Sequence, residues 1–281
     1  MMKIKVVADS CCDLLPRDIE SEDFPYASVP LTIQIDGQSY VDDENLEVAE
    51  TLRRMNASAG ESATACPSPG AFAKEFIQES ITFCVTLSSG ISGSFNSALT
   101  AMKMVKESHP EKKVFVIDSL SASAGEILLV LKIKELISKG VSSVESILEA
   151  VEACRDNMVT YFAINKFDNF VKSGRMSKME TILASVLTIR PIAGDDGAGK
   201  IKVYEKVRGE KNAMRRIVEK IEERKDPTGQ SMVITHCNNL DGALFIKEYA
   251  KELYDLKDVF IYPMRNLSVF YANDRGIMLS I

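Results

Sequence analysis

The 281-residue sequence contains no tryptophan and only two histidines, His109 and His236. With so little imidazole, a His/Cys zinc cluster and imidazole-centred acid–base chemistry are both poorly supplied. None of the six cysteines forms a CxxC pair, and Cys84 sits in the apolar run ITFCVTL, so they read as reduced packing thiols. No stretch approaches 18 unbroken apolar residues, which argues against a spanning helix. The opening MMKIKVVADS lacks the apolar core of a secretion signal, and a cytoplasmic location is expected. Internal repeats and low-complexity linkers are also missing.

Positive charge is scarce as well. The net charge is −6, a poor basis for nucleic-acid binding, which needs a concentrated basic surface. The two halves differ: residues 1–157 carry 14 Lys+Arg against 24 Asp+Glu (−10), and residues 158–281 carry 20 against 16 (+4). That asymmetry fits two domains of different character, or two ordinary solvated surfaces. A hydrophobic fraction of 46% beside 26% charged residues is enough for a sizeable core and excludes disorder.

The first half alternates strand-like and helix-like segments. IKVVAD (4–9), ITFCVTL (81–87) and KVFVID (113–118) read as buried strands of a parallel sheet. Phe95, Ala98, Leu99, Met102 and Val105 recur at helical spacing after the second, and Val144, Ile147, Leu148 and Val151 do so further on. This order predicts an α/β domain over 1–157 with a mostly parallel sheet. Beyond residue 157 come the strand-like MVTYFAI, IKVYEKV, SMVITH, DVFIYPM and GIMLSI, with amphipathic helices near 209–224 and 241–254. Hairpin-type connections between them predict a smaller two-layer α+β domain over 158–281.

Gly194-Asp-Asp-Gly-Ala-Gly199-Lys200 has the spacing of a phosphate-cradling loop, but Ile201 replaces the magnesium-binding hydroxyl and an alternating strand follows instead of a helix. It reads as a hairpin turn. Leu87-Ser-Ser-Gly-Ile-Ser-Gly-Ser94 places hydroxyls and glycine ahead of a helix, without the GxSxG spacing of a nucleophile elbow. Unpaired amides and the helix dipole there favour a carboxylate or phosphate, and plain capping by serine is the other reading. Thr64 lies in Ser62–Gly70, an extended loop stiffened by Pro67 and Pro69, where a hydroxyl is placed either to fix a polar head or to cap the next helix.

Several motifs in one order resemble the DegV family of bacterial fatty-acid-binding proteins, over nearly the whole chain. Val7-Ala8-Asp9-Ser10 resembles its V-x-D-S start, Thr64-Ala-Cys-Pro-Ser68 its T-S-Q-P-S loop, and residues 87–98 its SSxLSGTYxSA signature. Val116–Ser119, Ser173-Gly174-Arg175-Met176-Ser177, Ile189–Pro191 and Lys206–Gly209 with Ala213 are similar to further family segments. The resemblance implies a non-catalytic protein that encloses a long-chain fatty acid between its domains, without a cofactor or stable membrane insertion. It implies that Thr64 and Ser92 hold the carboxylate with help from the amides near Gly93 and Ser94. It also implies presentation of the acid to a fatty acid kinase, with Arg175 and Arg208 facing the phosphoryl group or the kinase. One departure stands: the family's H-x-G-P-G segment before the last strand is replaced by Phe270–Gly276 with no histidine, leaving Arg275 as a candidate positive group. Two alternatives remain: a hydrolase or transferase using Ser92, and a carrier of another small carboxylate or phosphate. Twelve methionines suit a slot that adapts to several chain shapes, or serve as ordinary core filler.

Overall fold

The computed structural model describes residues 4–58, 60–141, 143–176 and 189–281. Its first sheet is built from β1 (Ile4–Asp9), β2 (Tyr26–Val29), β6 (Ile81–Thr86) and β7 (Lys113–Asp118), in the order β2-β1-β6-β7, every pair parallel. Val6, Val7, Phe83 and Cys84 are fully buried because helices cover both faces, which explains why these runs are continuously apolar. On one face the helix Ala124–Ser138 closes over Val6, Phe83 and Val85; on the other Phe72, Ala98 and Ala101 pack against Val7 and Cys84. In the helix Ser94–Ser108 the buried stripe runs through Ala98, Ala101 and Val105, with Phe95, Leu99 and Met102 only half-buried.

A second sheet of three short strands was not anticipated. β3 (Thr32–Ile35) pairs antiparallel with β4 (Gln38–Val41) and β5 (Ser62–Ala65), so Thr64, read as part of a loop, sits on a strand opposite Ile33. The third sheet holds β8 (Thr160–Ala163), β9 (Ile189–Asp195), β10 (Ile201–Arg208), β11 (Ser231–His236), β12 (Asp258–Pro263) and β13 (Ile277–Ser280), in the order β10-β9-β8-β13-β11-β12. All six follow residue 157, and the strands of the other two sheets all precede it.

The connections in this sheet are of two kinds. β9 and β10 form a hairpin whose turn is the glycine-rich Asp195–Lys200 segment, with Asp195 opposite Ile201, as the turn reading expects. β11 and β12 run parallel, joined through the helix Leu240–Leu253, so this link is a crossover and not a hairpin. The helices Glu210–Glu219 and Leu240–Leu253 bury Met214, Ile217, Val218 and Ile246 against Ile234 and Leu279. On the opposite face Val233 joins the core under Ala124–Ser138. The six-stranded sheet is therefore covered on both sides, one side by a helix from the first half, where two layers were expected. No described helix is long and apolar enough to cross a membrane.

Candidate functional site

In the four-stranded sheet the strand order turns back at β1 and β6: β2 lies to one side and β7 to the other. Such a switch point opens a crevice at the carboxyl ends of the strands. Asp9 ends β1 there, and the Leu87–Gly93 loop follows β6. The Asp9 carboxylate accepts hydrogen bonds from the Leu87 amide at 2.9 Å, the Cys11 amide at 3.1 Å and the Ser94 hydroxyl. One buried acid thus ties the ends of β1 and β6 to the first turn of the helix Ser94–Ser108. The loop's other side is fixed by Ser88, which donates to the Gly199 carbonyl of the β9–β10 turn at 2.7 Å. Gly90 is required at this contact, because a Cβ would lie 2.7 Å from that carbonyl oxygen.

These elements frame an apolar cavity of about 320 Å³. The first half supplies Cys11, Leu31, Leu87, Ile91 and Ala122; the second supplies Phe162, Ile164, Phe170, Leu267 and Met278. Of the described methionines, Met264 and Met278 line it, and the wall is mainly aliphatic and aromatic. Phe170 is central to the aromatic side, with ring centroids 6.1 Å from Phe162 and 4.7 Å from Tyr271.

The polar contribution is concentrated among a few groups. Thr64, Ser92 and Gly93 line the cavity together, so the strand β5 and the serine loop converge on it. The Ser92 oxygen accepts from the Ser94 amide at 3.1 Å, which leaves its proton available. The helix is capped at Gly93, whose own amide makes no hydrogen bond among the described residues. Ser94 itself is fully buried and engaged with Asp9; it supports the site and does not line the cavity. Arg175 does line it, held by its Nε donating to the Ile91 carbonyl at 3.1 Å and an Nη donating to the Ser173 carbonyl at 2.6 Å. Ser177, the last residue of that motif, lies outside the described residues.

Arg208 and Arg275 are elsewhere. Arg208 is exposed at the end of β10 and is not part of the cavity wall. Arg275 turns away to pair with Glu210 at 2.8 Å and Asp241 at 3.0 Å, so it does not replace a positive group at the head of the cavity. Neither histidine reaches Ser92: His109 is bonded to Ser108, and the His236 ring accepts from the Asn239 amide at 3.2 Å. A serine nucleophile at 92 therefore lacks an imidazole base among the described residues.

A buried acid cluster lies beneath the serine loop. Burial pushes the Asp9 carboxyl up to about 6, against the opposing hydrogen bonds from Ser94, Leu87 and Cys11. Burial likewise raises Asp13 to about 7, opposed by the Ser123 hydroxyl and the Arg265 amide. Glu126, whose two oxygens have no partner among the described residues, is raised well above the carboxylate range by burial and by neighbouring Asp9.

Several contributors were not singled out from the sequence. The short helix Asn266–Ala272 brings Leu267 and Tyr271 to the cavity and is tied to the first half at its start. Asn266 accepts from Thr51 at 2.7 Å, and the Leu267 amide donates to Asp42 at 3.2 Å. The helix Asp168–Lys172 carries Phe170, and its Asn169 donates to the Phe270 carbonyl at 2.6 Å. Apolar spacing at Leu267, Phe270 and Tyr271 is the only signal that marked the first of these helices.

Comparison with known proteins places this geometry. A family model described as an uncharacterised protein of the DegV family matches residues 3–280. A DegV domain-containing protein of Streptococcus pneumoniae is 34% identical over 278 residues, covering 99% of this chain and 98% of the relative. Among solved structures, the Fatty Acid Kinase (Fak) B3 protein of Streptococcus pneumoniae, loaded with linoleic acid, superposes with a TM-score of 0.93 at 34% identity, covering 99% of both chains. A protein of the family from Ruminococcus gnavus, solved with vaccenic acid, gives 0.92 at 32% identity over 100% of both. One from Eubacterium eligens, loaded with heptadecanoic acid, gives 0.92 at 30% identity over 99% of this chain and 98% of the other.

Proposed function

The chain belongs to the DegV family, and from that premise we propose that it binds one long-chain fatty acid in the cavity and presents it to a fatty acid kinase, without catalysing a reaction itself. The observation that carries the reading is an apolar cavity with Thr64, Ser92 and Gly93 together in its wall. Support comes from the three relatives above, whose structures hold linoleic, vaccenic and heptadecanoic acids.

The energetics favour such a ligand. Each buried methylene contributes about 0.8 kcal/mol, so a sixteen-carbon tail supplies roughly 11 kcal/mol, part of which association entropy offsets. The head group has only to avoid an unpaired buried charge, and two hydroxyls with one backbone amide meet that need. In this reading residues 1–157 carry the head-group loops and residues 158–281 cover the chain. Arg175, at the cavity wall, faces the phosphoryl group. Exposed Arg208 belongs to the surface offered to the kinase, a role favoured by the name of the pneumococcal relative.

The Thr64→Ala, Ser92→Ala double variant tests the head-group assignment. Titration calorimetry of delipidated protein with hexadecanoic acid should show affinity falling by about 2–3 kcal/mol, with thermal stability nearly unchanged because both hydroxyls are only half-buried. Undiminished affinity would refute the assignment.

A further inference from the structure

Tyr271 has no part in the reading above, yet its hydroxyl lies 2.8 Å from the Thr64 Oγ1, and both residues line the cavity. The phenol is held firmly in place. Its ring packs edge-on against Phe270 at 5.0 Å between centroids and against Phe170 at 4.7 Å. The Asn169 amide that donates to the Phe270 carbonyl also accepts from the Ser62 hydroxyl at 3.3 Å, linking this helix to β5, two residues from Thr64. The pair is therefore positioned from both sides.

Two hydroxyls that share one hydrogen bond have one proton left over. The phenol is the more acidic partner, so the favoured arrangement has Tyr271 donating to Thr64, and the threonine proton then points to whatever occupies the cavity. Donation into the threonine oxygen also polarises its O–H bond and makes it a better donor. An ionised carboxylate has only acceptors and gains from such a directed donor. An alcohol head group can donate as well as accept, and it is served by either direction of the shared bond.

We propose that Tyr271 is a positioning residue that orients the Thr64 hydroxyl as a donor and so selects a carboxylate over an uncharged head group of the same chain length. The inference rests on the fatty-acid reading of the cavity. It assigns to a tyrosine on the second half of the chain part of the selectivity of a site whose Thr64 and Ser92 hydroxyls come from the first half.

The test compares hexadecanoic acid with hexadecanol on delipidated protein, by calorimetry or by displacement of a fluorescent acid. Tyr271→Phe keeps the ring packing and removes the hydroxyl. It should weaken the acid roughly tenfold, the magnitude of one hydrogen bond acting on a charged group, and change the alcohol less than about twofold. In a Thr64→Val background, where the partner hydroxyl is gone, the same substitution should no longer affect the acid. An equal loss for acid and alcohol would show a packing role only and overturn the proposal, as would an undiminished effect in the Thr64→Val background. If the parent protein binds no hexadecanoic acid, the fatty-acid reading itself fails. If the parent binds it and Tyr271→Phe leaves the acid-to-alcohol ratio unchanged, only the role of Tyr271 is lost.

Discussion

Ala122→Phe should leave the purified protein essentially free of fatty acid, where the parent should carry close to one equivalent. Ala122 lines the cavity and packs against the cluster that holds Cys11, Leu31 and Leu267. A phenylalanine side chain there occupies room the acyl chain needs. Excluding about six methylenes removes roughly 5 kcal/mol of burial, more than a thousandfold in affinity. The fold should survive, because the ring enters open space; inserting bulk into a filled core would cost about 1–3 kcal/mol. Mass spectrometry of the organic extract, with thermal unfolding of the delipidated parent and variant as control, reads both effects. A well-folded Ala122→Phe protein that still retains one equivalent would show that the lipid lies elsewhere.

The second large effect concerns the support beneath the site. Asp9→Ala deprives three buried donors, the amides of Leu87 and Cys11 and the hydroxyl of Ser94, of their common acceptor. At about 1–3 kcal/mol for each unsatisfied group, and allowing for relaxation, the variant should lose about 3–6 kcal/mol of stability. The loss should depend on pH. The folded-state pKa of Asp9, about 6, is raised above its ordinary value of 3.8, so its titration contributes stability that is complete below the lower value and vanishes as pH rises through the upper one. The gap between parent and variant should therefore narrow by roughly 2.4 kcal/mol between pH 4 and pH 8. Urea unfolding at both pH values measures it; a gap that is small at both, or widens with pH, would contradict the role given to Asp9.

The parts of the fold that were legible in the sequence are those with long, regular patterns. β1 and β6 show as apolar runs because they are covered on both faces, whereas β7, at the sheet edge, is exposed at Lys113 and only half-buried through Val114–Val116; the stripe Met214, Ile217, Val218, Ile221 is buried as its spacing predicts. The three-stranded sheet was missed because each strand is only four residues long, with polar Gln34, Gln38 and Ser39 interrupting the pattern. Four residues carry too little periodicity to separate a strand from a loop. Thr64 was noticed for its prolines and hydroxyl, while the strand pairing that directs it depends on contacts 31 residues away.

The site shows the same division. Ser92 and Gly93 stand in a glycine–serine turn before an amphipathic helix, a local arrangement that is visible in sequence. Ser94 belongs to the same motif, yet its side chain serves Asp9, 85 residues distant, a pairing no local pattern reveals. Phe162, Phe170 and Tyr271 are ordinary apolar residues until the six-stranded sheet and its two short helices bring them together. Arg275 looked available because its carboxylate partners, Glu210 and Asp241, lie 65 and 34 residues away.

A crystal structure of the protein loaded with hexadecanoic acid is the most direct measurement. Acyl density should run between Leu31 and Phe170, with the carboxylate oxygens within about 3 Å of the Thr64 and Ser92 hydroxyls. A filled, ligand-free interior with the acid bound on an outer face would contradict it, as would an acyl chain entering with its carboxylate at the far end from those two residues.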